Sequence, residues 1–315
     1  MIKKIALIFL FCINTILFAQ NTPKLMKNIV SEYTYPAKSI SIDSLEISYI
    51  MEGKGTTTLL FLHGLSSNAD AWSKNIETLK NNYICLALDL PGYGKSSMLN
   101  VEYTPSFFAS ITHQLIKKLE LKNVVLIGHS MGGQASIKLA TTYPKDIQKL
   151  ILIAPAGLET FKKEQANFMK TAYTAASVKN TTDEQIVTNY ALNFYKLPED
   201  AQKMIDDRKH IKNASNFNAH CEAIIKSIAG MLDEPVFDQL KDIKQKTLVI
   251  FGNEDKLIPN RYFNPTLSTE KVGNIAKEQI KNVEVEYIPE SGHFVQFEKP
   301  NQVNLLIEKF VESKE

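Results

Sequence analysis

The sequence predicts an α/β protein: a mostly parallel, doubly wound sheet with helices on both faces and a helical block inserted into it. Three observations carry that expectation. Continuous apolar runs of strand length alternate with helical periods, the pattern of strands buried on both faces beneath crossover helices. The alternation stops at Ala156, gives way to helical periods only until about Lys241, and resumes at Thr247. Finally, His63, Asp89, Ser130, Asp255 and His293 each follow one of the apolar runs or a later strand-like segment. In open parallel sheets ligands bind beyond the carboxyl ends of the strands, so these residues are expected along one edge.

The chain of 315 residues is long enough for a large core, and its 44% apolar and 22% charged content is that of an ordinary globular protein. A formal net charge of +2, with no basic run interleaved with aromatics, argues against a nucleic-acid partner. Residues 1–19 read as a secretory signal: Lys3 and Lys4 precede an apolar stretch over 5–18, and Ala19 precedes a polar start at Gln20. The stretch is shorter than the roughly 20 residues that a spanning helix needs, so cleavage after Ala19 and export to a periplasmic or external compartment are expected. An uncleaved N-terminal anchor is the alternative, and no stable span is expected after cleavage. Cys85 and Cys221 then remain; they read as buried free thiols, and no Cys/His spacing suits a metal. No cofactor is expected, and oligomeric state is left open.

In chain order, residues 20–39 read as a polar leader without periodicity, and residues 39–51 alternate around Asp43-Ser44 as a β-hairpin. Residues 58–62 form a central strand ending at His63-Gly64-Leu65, with a helix starting near Trp72. A strand at 83–88 runs into Asp89-Leu90-Pro91-Gly92-Tyr93-Gly94-Lys95-Ser96, a helix spans about 105–119, and a strand follows at 149–154. Helices are predicted at 161–178, 183–195, 198–211 and 216–231, then a strand at 247–251, a helix near 271–280, a strand at 283–288 and a last helix at 300–311. The expected organisation is a signal (1–19), a first core segment (20–155), a helical cap (156–241) and a second core segment (242–315).

The stretch Asn123-Val124-Val125-Leu126-Ile127-Gly128-His129-Ser130-Met131-Gly132-Gly133 is a β-branched apolar run, a tight turn and the start of a helix over 134–143. It has the G-x-S-x-G pattern, in which a strained turn exposes the serine hydroxyl and small neighbours avoid clashes. Ser130 also stands at a helix N-terminus, which favours negative charge. A serine attacks only if a base takes its proton, and histidine titrates near working pH. His293, between Gly292 and Phe294 after the last strand, is the candidate base. His63 is tied to a glycine turn, His129 is expected to point away from Ser130, and His113, His210 and His220 fall in helices, where a solvated or cap-lining place is expected. Asp255 is the candidate acid to orient the imidazole, ahead of Glu254 (expected in solvent), Glu159 and Asp89 (expected in a structural turn). Backbone N–H groups of Met131 and Leu65 are the candidate oxyanion donors.

Four motifs now converge: His63-Gly64 with Trp72 downstream, Asp89-x-Pro91-Gly92-x-Gly94-x-Ser96, Gly128-His129-Ser130-Met131-Gly132-Gly133, and Gly252-x-x-Asp255-x-x-x-Pro259 with Ser291-Gly292-His293. Over roughly residues 39–311 the chain resembles serine hydrolases of the α/β-hydrolase superfamily with a helical cap. Ala154-Pro155-Ala156-Gly157-Leu158 and the small turn after Ser130 resemble monoacylglycerol-lipase and esterase-type members. That resemblance implies cleavage of apolar carboxylic esters through an acyl-enzyme. Its alternatives are hydrolysis of carbon–carbon bonds in dienone ring-cleavage products, or a small-molecule sensor that keeps the triad. A serine at position 130 argues against haloalkane dehalogenases and epoxide hydrolases, which use aspartate. Phe161, Phe168, Met169, Tyr173, Phe194, Met204 and Phe217 are candidates to line an acyl channel, with helix core as the competing expectation. The chain departs from the family pattern between Asn260 and Lys271, where Arg261-Tyr262-Phe263-Asn264-Pro265 lengthens the connection beside the pocket.

Overall fold

The computed structural model describes residues 23–313; the expected signal segment lies outside the described residues. Eight strands form one sheet: β1 (Ala37–Ile42), β2 (Leu45–Gly53), β3 (Thr58–Leu62), β4 (Ile84–Leu88), β5 (Val124–His129), β6 (Lys149–Ile153), β7 (Lys246–Gly252) and β8 (Val283–Ile288). Their order is β1-β2-β4-β3-β5-β6-β7-β8. The β1–β2 hairpin pairs antiparallel to β4, and every pair from β4 to β8 is parallel.

The central strands read as unbroken apolar runs because both faces are covered. Successive residues point to opposite faces. Leu60, Leu62, Leu86, Leu88 and Leu126 enter one core cluster, whereas Leu59, Phe61, Cys85, Ala87, Val125 and Ile127 enter the other. Strand β8 closes the sheet and alternates instead, exposing Glu284 and Glu286, charges that discourage further strand pairing at an edge.

Flanking helices are α1 (Ser73–Leu79), α2 (Pro105–Lys118) and α3 (Met131–Thr142). A helical block follows β6: α4 (Lys163–Ala172), α5 (Ala175–Lys179), α6 (Asp183–Ala191), α7 (Gln202–His210) and α8 (Phe217–Asp233). After β7 come α9 (Thr269–Gln279), α10 (Val295–Glu298) and α11 (Pro300–Glu312). The single helix expected over 161–178 is two. Thr174 is extended and accepts from Ser177 N, while Ser177 Oγ accepts from Thr174 N, so this reciprocal cap starts α5 afresh.

Residues 23–36 are not a loose polar leader. Met26, Val30 and Tyr33 are buried, Ser31 N and Oγ both donate to Asp207 of α7, and Met26 N donates to Asn216. The segment therefore straps the second half of the helical block to the sheet domain. It has no periodicity because its anchors are irregularly spaced. Cys85 and Cys221 are free and buried, and burial pushes the Cys85 thiol up to about 12.

Candidate active site

Ser130 connects β5 to α3 with φ 54° and ψ −117°, a strained backbone for a residue with a Cβ. The strain is held from several sides: Ser130 N donates to Ile153 O at 3.0 Å, and Ser130 O accepts from Gly133 N at 2.9 Å and Ala156 N at 3.0 Å. A Cβ on Gly128 would lie 2.3 Å from Ser136 Oγ, and one on Gly132 would lie 2.4 Å from Leu62 O. The turn can be this tight only with glycine at both positions.

The structure brings the sequence candidates to the carboxyl edge of the sheet. His293 Nδ1 lies 2.8 Å from Asp255 Oδ2, and both residues are buried. Asp255 Oδ1 accepts from Leu257 N at 2.8 Å and Ile258 N at 2.9 Å, so the carboxylate is fixed at both oxygens. Ser130 and His293 line one cavity of about 540 Å³, together with Gly64, Leu65 and Glu159. Among the described residues no hydrogen bond links Ser130 Oγ to the imidazole. Such contacts often tighten only when substrate is bound.

A Cβ on Gly64 would lie 3.2 Å from Ser130 Cβ, which places the backbone leading into Leu65 directly beside the serine. Met131 opens α3, and the first N–H groups of a helix lack intrahelical partners. His63 holds this loop: its Nδ1 donates to Gly64 O at 2.7 Å, and its Nε2 accepts from Leu90 N at 3.0 Å. Burial pushes the His63 pKa down to about 4, keeping the ring neutral.

The rival acids go elsewhere. Glu254 is exposed. Asp89 is fully buried and accepts from Ala69 N, Lys95 N and Tyr33 Oη, the structural turn that was expected. Glu159 accepts from Asn260 N and Asn264 Nδ2, so it holds the long loop after Asp255 against the cavity, and burial raises its pKa.

One histidine expectation needs correction. His129 is not turned away from the site: it lines the same cavity as Ser130, and its Nε2 donates to His293 O at 3.0 Å. Adjacent strand residues face opposite ways only while the strand lasts, and the chain leaves β5 here. His220 takes the second of its two expected places: it is not solvated but buried on α8 within the helical block, with Nδ1 donating to Gly92 O at 2.9 Å. His113 pairs with Asp146 and stacks on Tyr143, while His210 is exposed.

Of the seven apolar candidates in the helical block, Phe161, Met169 and Tyr173 line the cavity. Phe168 is exposed, Phe194 and Met204 pack with Phe294 and Phe297, and Phe217 belongs to the core. Helical spacing marks an apolar face without saying what covers it. Sequence reasoning also missed Glu298, which accepts from Gly292 N, Tyr195 N and Lys196 N and so ties the His293 loop to the helical block.

A parallel sheet carrying a strained serine turn on β5, with a His–Asp pair after β8 and β7, defines a class: the family model described as the alpha/beta hydrolase fold matches residues 57–300, and the chain belongs to that family. Among its relatives is a 2-hydroxy-6-oxononadienedioate/2-hydroxy-6-oxononatrienedioate hydrolase of Escherichia coli O81 (strain ED1a), 26% identical over 85% of this chain and 91% of that one. An uncharacterized hydrolase of Bacillus subtilis (strain 168) is 25% identical over 89% of this chain and 99% of its own length. Among solved structures, an esterase from Exiguobacterium antarcticum superposes with a TM-score of 0.74 at 23% identity, over 88% of this chain and 100% of that chain.

Proposed function

We propose that the chain is a serine hydrolase of carboxylic esters with an apolar acyl group, monoacylglycerols among them. One observation carries the reading: His293, paired with the buried Asp255, opens onto the same cavity as the strained Ser130. Ser130 attacks the carbonyl, His293 takes its proton and passes it to the leaving alcohol, and Asp255 holds the imidazole in the required tautomer. The N–H groups of Leu65 and Met131 receive the oxyanion. Water then attacks the acyl-enzyme by the reverse proton path. The block between β6 and β7 acts as a cap, and Phe161, Met169 and Tyr173 supply apolar wall to the acyl group.

Labelling with a fluorophosphonate, followed by a chain-length series of 4-nitrophenyl esters, tests this. A folded protein that takes no label, or labels equally as Ser130→Ala, overturns it. A second reading, hydrolysis of a carbon–carbon bond in a dienone acid, is favoured by the 26% identical relative named as a 2-hydroxy-6-oxononadienedioate hydrolase. It prevails if a dienone is turned over while the esters are inert. The proposal includes export with cleavage after Ala19, supported by Lys3, Lys4 and the apolar run behind them. N-terminal sequencing of the mature protein should begin at Gln20.

A further inference from the structure

Arg208 is buried to nine-tenths, yet no acidic side chain pairs with it among the described residues. Its neighbour Asp207 is committed elsewhere, accepting from Ser31 N and Oγ at 2.9 Å each. The guanidinium lies over the Phe217 ring at 5.3 Å, and Nη2 makes only a long contact of 3.5 Å to Val178 O. Nη1 is sealed from solvent with no hydrogen-bond partner. A buried cation without a counter-charge is costly to keep, and arginine stays charged at any working pH.

The group borders a cavity of about 460 Å³ between α5, α6, α7 and the sheet edge. That cavity shares Leu65, Tyr173, Asn193, Ile228 and Phe294 with the cavity of Ser130. Polar side chains enrich its far wall, including Ser177, Gln185, Asn189 and Tyr190. We propose that Arg208 receives a carboxylate carried by the substrate at the end remote from the cleaved bond, which makes acidic molecules the preferred substrates. This rests on the ester-hydrolase chemistry proposed above and revises its acyl group, from wholly apolar to one that ends in a carboxylate. A planar guanidinium with a free edge suits a carboxylate in shape as well as charge. Binding would supply the missing counter-charge.

The test compares 4-nitrophenyl hexanoate with the 4-nitrophenyl half-ester of adipic acid, alike in chain length but not in charge. The wild type should prefer the adipate in kcat/KM by at least about tenfold, and the advantage should shrink with added salt. Arg208→Gln should lower the adipate-to-hexanoate ratio on the order of 100-fold, through KM of the adipate, and Arg208→Lys should restore part of it. A wild type that prefers hexanoate overturns the proposal without any variant, and so does an unchanged ratio in Arg208→Gln. Calorimetry of adipate with Ser130→Ala separates the two readings. Binding that depends on Arg208 in a protein inert to all esters keeps the subsite and discards ester hydrolysis. Ester hydrolysis with no Arg208-dependent adipate binding does the reverse.

Discussion

His129 Nε2 donates to the carbonyl oxygen of His293 at 3.0 Å, joining the residue before the serine to the backbone of the candidate base. The two rings lie 4.8 Å apart. Burial, and then the His293 charge, push the His129 pKa well below its ordinary value, so the ring stays neutral. In the proposed reaction a neutral neighbour matters, because a second cation would oppose the imidazolium that forms on His293 as Ser130 attacks. Two more bonds hold the same loop, Phe294 N to Asn193 O at 2.9 Å and Gly292 N to Glu298 Oε2 at 2.8 Å.

His129→Ala should therefore lower kcat about 10- to 100-fold with a smaller change in KM, because it loosens the base while removing only one of the side chains that line the cavity. His129→Gln, which can place an amide donor near the same carbonyl, should recover part of the loss. Steady-state kinetics on one ester decide it. A His129→Ala enzyme with wild-type kcat would show that the other two bonds suffice.

Replacing Ser130 with alanine should lower kcat by about 10⁴- to 10⁶-fold, and Asp255→Asn by about 10⁴-fold through the wrong imidazole tautomer. Glu159→Gln should cost less than about tenfold in kcat and act chiefly on KM, since Glu159 holds the Asn260 loop rather than the imidazole. If instead Glu159→Gln is dead and Asp255→Asn is active, the acid has been misassigned.

The left-handed backbone at Ser130 gives a prediction of opposite sign for stability. Ser130→Gly should raise the unfolding free energy by about 1 kcal/mol while abolishing turnover, because glycine accepts φ 54° without strain. Urea unfolding of the two proteins measures it. An unchanged or lower midpoint would mean that the turn is not under strain.

The parallel sheet and the places of Ser130, Asp255 and His293 were legible because each rests on a local signal. Apolar runs mark strands buried on both faces, and β8 was bounded correctly from residues 283–288. Gly128 and Gly132 mark a turn that excludes Cβ atoms. Illegible features rest on partners distant in the chain. Tyr33 finds Asp89 across 56 residues, and Ser31 finds Asp207 across 176. Phe161 and Phe194 both fall in segments whose spacing predicts helix, yet one lines the cavity and the other packs against Phe294. Nothing near Arg208 in sequence shows that Asp207 will turn away from it.

Acid should destabilise the protein through its buried histidines. His220 has its pKa pushed down to about 4 by burial, against about 6.5 when unfolded. Between those values only the unfolded chain takes up the proton, so stability falls as pH drops from about 6.5 to 4, by on the order of 3 kcal/mol for this residue. His63 acts in the same window and direction. Asp89, raised by burial, works the other way, favouring the folded state as pH falls into the carboxylate range. Between pH 7.5 and pH 5 the unfolding free energy should thus drop further for the wild type than for His220→Asn, by about 2 kcal/mol in all, nearly all of it below pH 6.5. Equal slopes would show that His220 takes up its proton over the same pH range folded as unfolded, against the effect of burial argued here.

Tyr33→Phe tests whether the N-terminal segment is structural. The Tyr33 hydroxyl donates to Asp89 Oδ2 at 2.9 Å, and the same carboxylate accepts from Ala69 N and Lys95 N at 2.7 and 2.8 Å. Removing the hydroxyl leaves a buried carboxylate one donor short, a loss of about 1 to 3 kcal/mol in unfolding free energy. Asp89→Asn should cost more, because its amide turns a second donor toward N–H groups that need an acceptor. The kcat of Tyr33→Phe should remain within a few-fold of wild type, since Asp89 supports the loops behind His63 and makes no bond to His293. Activity lost with stability unchanged would move Asp89 into the site and displace Asp255 from the role argued for it.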